Sequence, residues 1–122
     1  MRILTIHANF IEFAAKKKAF SGASDQIDKN PQRIEECLVV LTAVEKRDET
    51  NPLAVASRYV QEIKSIAQQV NTTKIVLYPY AHLSSQLANP KMAEQVLNQA
   101  ESLLREKYSV TRAPFGWYKS FT

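Results

Sequence analysis

Glycine is almost absent from this chain: of 122 residues only Gly22 and Gly116 are glycine. Loops that cradle phosphates, and the dinucleotide fingerprint, need several glycines within a few positions, so ATP and NAD chemistry inside the chain is excluded. Cysteine is nearly as scarce. Cys37 stands alone, which rules out an internal disulfide and points to a reducing, cytoplasmic setting. It lies in an apolar run with no cation beside it to lower its pKa, so it reads as a small core residue and not as an activated thiol. Two histidines and one cysteine at no ligand-like spacing leave no metal site to expect. No Gly-x-Ser-x-Gly elbow exists, which removes the usual serine hydrolase triad. No segment approaches the roughly 20 apolar residues that span a bilayer, and the apolar run at the N-terminus is too short for a signal peptide.

What is present describes an ordinary soluble domain. Apolar residues make up 45% and charged residues 23%, enough to build a core at a length that suits one domain and not two. The net charge of +4 fits a partner that carries phosphates, although a solvated basic surface accounts for it equally. Positive charge gathers near the end of the chain, where Arg105, Lys107, Arg112 and Lys119 face only Glu106, and again at Lys16-Lys17-Lys18.

Taken in order, residues 2 to 7 read as a strand ending at His7, and residues 10 to 16 as a second strand paired through a tight turn at Ala8-Asn9. Polar residues from 20 to 31 mark a flexible surface loop. Residues 33 to 45 form a long strand whose apolar middle, Cys37 to Leu41, belongs in the centre of a sheet. Asn51-Pro52 is a helix start, with an N-cap followed by proline at the first helical position. Val55 or Ala56, Tyr59 or Val60, Ile63, Ile66 or Ala67, and Val70 then recur at helical spacing as far as Asn71. A strand over 74 to 78 follows, then a loop containing His82. Asn89-Pro90 repeats the start signal for a second helix running to about Tyr108. Short strands over 109 to 113 and 117 to 121 complete the order β-β-β-α-β-α-β-β, an α/β (α+β) fold with a mixed sheet and two main helices.

The residues that look chemically placed sit in three separated segments: the end of the first strand at His7, the loop Tyr78-Pro79-Tyr80-Ala81-His82-Leu83-Ser84-Ser85, and the aromatic tail from Arg112 to Phe121. These segments are expected to meet, which adds His7, Phe115, Gly116 and Trp117 as candidate substrate-binding residues. A neutral imidazole at His82 suits a general base or a group that orients a hydroxyl. On spacing alone a structurally hydrogen-bonded ring, with Ser84 capping local backbone, is the simpler reading. Lys119 alternates with Tyr118 in a strand beside Trp117; at a pocket edge it suits a phosphate, a ribose or an oxyanion, and elsewhere it is surface.

Four blocks in register carry something more specific: Leu4-x-Ile6-His7-x-x-Phe10-x-Glu12, Val44-Glu45-Lys46-x-Asp48-x-x-Asn51-Pro52, the Tyr78 to Leu87 loop, and Arg112-Ala113-Pro114-Phe115-Gly116-Trp117-Tyr118-Lys119. Together, and nearly from end to end, they resemble the N-terminal editing domain of archaeal-type threonyl-tRNA synthetases. The resemblance implies a fold related to D-aminoacyl-tRNA deacylases and a proofreading activity, hydrolysis of L-seryl-tRNA(Thr) with threonyl-tRNA(Thr) spared. It implies a cytoplasmic homodimer that binds threonine-specific tRNA and no membrane. No cofactor is implied here, since ATP and zinc would belong to a ligase domain outside this chain. By the same resemblance His82 and Lys119 are the catalytic pair, Lys119 positioning the attacking water or the ribose and His82 orienting the terminal adenosine or its hydroxyl. Tyr118, Ala81 and Tyr80 line the pocket.

Two departures accompany it. Ala8-Asn9-Phe10 stands where family members often carry Ser-Asp-Tyr. The family pattern also continues past the lysine into a His-Pro-Leu-x-Glu-Leu-Ser segment with a functional glutamate, whereas the sequence ends at Thr122, so the expectation is a single editing domain over 1–122 taken from a longer synthetase. A D-aminoacyl-tRNA deacylase, or a non-catalytic tRNA-binding or dimerisation module, are the alternatives.

Overall fold

The apolar run at 37–41 does become the centre of the sheet. In the computed structural model, which describes every residue except 19–21, 23–29, 116 and 122 and only the backbone at Lys17 and 117–121, strand β2 spans Gln32–Ala43. It pairs antiparallel with β1 (Arg2–Lys18) on one side and parallel with β3 (Lys74–Pro79) on the other. Strand β4 (Ser109–Arg112) adds parallel to β3, and β5 (Trp117–Phe121) adds antiparallel to the far half of β1, giving the order β4-β3-β2-β1-β5. This is the expected mixed sheet with two helices. The loop expected over 20–31 lies for the most part outside the described residues.

Helices α1 (Pro52–Val70) and α2 (Pro90–Leu104) begin where the sequence signals place them. The Asn51 side chain accepts from Ala54 N at 3.2 Å and that of Asn89 from Lys91 N at 2.9 Å, so each cap satisfies a backbone donor that the first turn leaves free. Helix α1 ends at Asn71 in the left-handed region (φ 56°), as far as expected. Helix α2 stops about four residues earlier than its periodicity suggests. Beyond Leu104 the chain must turn so that Ser109 N reaches Thr73 O at 2.9 Å and starts the pairing of β4, and Tyr108 folds back on the core.

Both helices cover one face of the sheet. Tyr59, Val60, Ile63 and Ala67 of α1 and Leu97, Ala100 and Leu104 of α2 pack on Leu38, Val40, Ile75, Leu77 and Val110. A second cluster, on the opposite face, holds Ile11, Phe13, Cys37, Val39, Leu41, Val76, Tyr78 and Ala113. Cys37 is fully buried there, and burial pushes its thiol pKa up, in keeping with a core role.

The expected hairpin at Ala8-Asn9 does not form; residues 2 to 18 are one strand. The reason is visible in the faces. Ile3 and Ile11 are an even number of residues apart and should share a face, yet Ile3 packs against the helix-side cluster and Ile11 in the opposite one. Along β2, Leu38 and Ile34 divide in the same way. The change of face coincides with Glu36, whose φ of 42° is rare for a residue other than glycine. Register is kept across it, Ala8 opposite Cys37 and Phe10 opposite Glu35. A phase break in the apolar pattern is therefore absorbed by a local backbone twist and not by a turn.

The twist curls the sheet. From Arg112 to Trp117 the chain takes five Cα steps, a reach of about 18 Å at most. Edge strands of a flat five-stranded sheet would lie about 19 Å apart before any offset along the strands. Folding the outer half of β1 over the second face brings β5 back within that reach.

Candidate functional site

The carboxyl ends of β2 and β3, both parallel strands, open on one end of the sheet, where ligands commonly meet α/β folds. Tyr80 leaves β3 with its N–H donating to Thr42 O at 2.8 Å. The 3-10 turn Ala81–Leu83 follows and presents an exposed His82. Its ring lies edge-on to Tyr80, centroids 5.2 Å apart; Tyr80 leans on Tyr78 at 6.4 Å, and Tyr78 meets Phe13 at 5.7 Å in a T-shaped contact. An aromatic row thus runs from the second core cluster to the His82 turn. Burial pushes the Tyr78 hydroxyl pKa up to about 12, so it stays protonated. Below the turn, Tyr59 and Thr42 share a buried hydrogen bond of 2.6 Å, and burial raises the Tyr59 pKa as well.

The turn is stapled from its other side by Glu45. Ser84 Oγ donates to Glu45 Oε2 at 2.8 Å and accepts from Gln86 N at 3.0 Å. Lys46 N donates to Gln86 O at 2.8 Å and Ala88 N to Val44 O at 2.9 Å, flanking a bridge between Glu45 and Leu87. The Met1 amino group sits 2.9 Å from Glu45 Oε1 and 2.6 Å from Asp48 Oδ2, and Glu45 N donates to Asp48 Oδ2 at 2.8 Å. Glu45 is 6% exposed, and the hydrogen bonds from the Met1 amino group and then Ser84 hold its carboxyl down to about 2. Sequence reasoning did not single it out. The available signal was a glutamate directly after an apolar strand, within the Val44-Glu45-Lys46 block.

Tyr80, Ala81 and His82 are brought together. Phe115 packs beside Met1 against the helix-side clusters, near Val44 and Ala88. In β5 the backbone of Lys119 lies opposite Ala15, Tyr118 opposite Lys17 and Trp117 opposite Lys18, with a register shift between Ala15 and Lys17. Phe121 stands opposite Phe13, the first ring of the aromatic row. The side chains of Trp117, Tyr118 and Lys119, and Gly116 altogether, lie outside the described residues. His7 is not with the others. It sits mid-strand opposite Leu38, which neighbours Ile75 at the start of β3, roughly 15 Å along the sheet from the His82 turn. There its Nε2 is 2.8 Å from Glu36 Oε2, a contact that lowers the Glu36 pKa.

Compared with known families, residues 1–122 match the model of the archaea-specific editing domain of threonyl-tRNA synthetase over their whole length. The chain belongs to that family. The threonine–tRNA ligase of Methanosarcina acetivorans is 48% identical over 122 residues, which cover 100% of this chain and 19% of the ligase. Those of Methanopyrus kandleri and Methanocaldococcus jannaschii are 47% and 45% identical, each over 99% of the chain and 19% of the ligase. The chain spans about a fifth of the length of the curated relatives it matches. Among the described residues no helix is long and apolar enough to cross a membrane.

Proposed function

We propose that this editing domain, residues 1–122 acting as one module, hydrolyses L-seryl-tRNA(Thr) and spares threonyl-tRNA(Thr) in the cytoplasm. Serine lacks only threonine's methyl group, and one such group in a pocket discriminates by about 1–3 kcal/mol, so a ligase needs a second, hydrolytic test. Water adds to the ester carbonyl carbon, the bond to the ribose oxygen breaks, that oxygen takes a proton, and serine and free tRNA leave.

One observation carries the reading at the level of residues. His82 stands on an exposed turn held between the Tyr80 ring and the Glu45–Ser84 staple, at the carboxyl ends of the parallel strands. A group so held orients a substrate without reorganising at the moment of reaction. In this reading His82 aligns the terminal adenosine or its hydroxyl, Tyr80 and Ala81 border it, Lys119 positions the water or the ribose, and Tyr118, Trp117, Gly116 and Phe115 are further substrate-binding residues.

The test is ester loss from L-seryl- and L-threonyl-tRNA(Thr) beside a Lys119→Ala variant. Loss of serine alone, abolished by the substitution, is the expected result. Equal loss of both esters, or loss from D-aminoacyl-tRNA only, would defeat it.

The module also acts as a homodimer in this reading. Strand β5 pairs with β1 over 13–18, and among the described residues no strand pairs with the rest of that edge, beside which Leu4 and Ile6, 49% and 45% exposed, stand. Such an edge invites isologous pairing with a second copy. Sedimentation of Leu4→Lys/Ile6→Lys should show a monomer where the unsubstituted chain is a dimer; a monomer in both cases removes the proposal.

A further inference from the structure

Between the end of β2 and the loop after β3 lies a groove of about 440 Å³ lined by Arg2, Glu45, Lys46, Arg47 and Gln86. Its charge is layered. The one carboxylate among its lining residues, Glu45, is 6% exposed and shares the Met1 amino group with the buried Asp48, at 2.9 and 2.6 Å, whereas the side chains of Arg2 and Arg47 are 67% and 77% exposed. Glu45 also aims both guanidinium groups: Arg47 Nη2 lies 3.3 Å from Oε1 and Arg2 Nε 3.6 Å from Oε2. Each keeps further N–H donors turned to solvent, the fork that suits a phosphate. Lys46 makes no ion pair among the described residues, and its backbone is pinned to Gln86 O. The rim is therefore three cations over two buried carboxylates that share one ammonium group, a net excess of positive charge. A groove of the same volume on the outer face of α2 balances Lys91 against Glu94, so volume alone does not bring the excess.

Resting on the tRNA reading above, we propose that this groove is a phosphate site for the ribose-phosphate backbone of the single-stranded 3′ end of tRNA, contacted by Arg2, Lys46 and Arg47. Charge complementarity selects the class of occupant. Position selects the segment: Gln86 is four residues beyond His82 in the same loop, at most about 14 Å away along the chain. A strand whose terminal nucleotide sits at His82 carries its preceding phosphates over the groove.

The experiment measures binding of uncharged threonine-specific tRNA across a salt series. The unsubstituted chain is compared with Lys46→Ala/Arg47→Ala and with Lys64→Ala/Lys107→Ala, a control pair toward the other end of the sheet. Two lost contacts on a single strand should flatten the plot of log affinity against log salt by about 1.4, and the control should not. The charge-preserving Lys46→Arg/Arg47→Lys should restore the slope, and circular dichroism checks that each variant is folded. With tRNA lacking its unpaired 3′ nucleotides, the unsubstituted chain should lose the same increment and the double variant nothing further. An unchanged slope in Lys46→Ala/Arg47→Ala, an equal loss in the control, or additive losses with the shortened tRNA overturns the groove while leaving the editing reading intact. No salt-dependent tRNA binding by the unsubstituted chain overturns both.

Discussion

The two ends of the sheet each hold a glutamate that crosses between elements, and they differ in almost everything else. Glu45, at the carboxyl end of β2, is buried and shared among the Met1 amino group, Ser84 and two arginines. Glu36, at the other end, is exposed, holds His7 and Thr72, and sits on a strained backbone. A carboxylate in the surface layer costs little to lose, because water replaces its partners. One sunk among donors cannot be removed without stranding them. The site end of the molecule therefore depends on Glu45, while the Glu36 end depends on the twist it accommodates and hardly on its charge.

The contrast can be broken most sharply by Glu45→Ala. It leaves Ser84 without its acceptor and the Met1 amino group with Asp48 alone, and is expected to destabilise the fold by about 2–3 kcal/mol, read as a lower urea midpoint. It should also release the His82 turn to faster amide exchange. A midpoint equal to that of the unsubstituted chain would show that water already serves these donors. Ser84→Ala should cost about 1.5–2 kcal/mol, the lower part of the range for one hydrogen bond to a charged acceptor, and slow seryl-ester hydrolysis through kcat more than KM. If only KM rose, the staple would not serve the turn.

Acid sharpens the comparison further. Because the folded pKa of Glu45 lies near 2, below its usual 4.5, its stabilising contribution is complete above about pH 4.5 and is lost as pH falls toward 2. Glu36 is shifted in the same direction. The difference in stability between unsubstituted protein and Glu45→Gln should shrink over that window, and a difference independent of pH from 5 to 2 would refute the assignment. The smallest effect belongs to Glu36→Gly. It gives up an exposed ion pair but relieves a φ of 42° that glycine adopts freely, so the urea midpoint should not fall. A clear fall would mean that the His7 contact matters more than the twist.

Much of this architecture was readable in advance. Asn51-Pro52 and Asn89-Pro90 are local signals whose chemistry acts within one turn, and both helices start where those pairs stand. The run at 37–41 announced a central strand for the same reason, that burial on both faces leaves no polar position. Residues 2 to 18 misled because a phase break in an apolar pattern is equally compatible with a turn or a twist. Only the partner strand, where Glu36 falls between the partners of Ala8 and Phe10, decides between them. Glu45 escaped because nothing local distinguishes a buried glutamate from an exposed one.

From the sequence alone came the element types, the helix boundaries at their N-termini, the family blocks and the prominence of the His82 loop, since each rests on residues close together in the chain. Tertiary structure alone decided that β1 changes face, that His7 lies mid-strand away from the His82 turn, and that Glu45 lies beneath that turn with two arginines beside it. Those outcomes depend on which distant segments pack together, and the burial that gives a charge its weight exists only after they have done so.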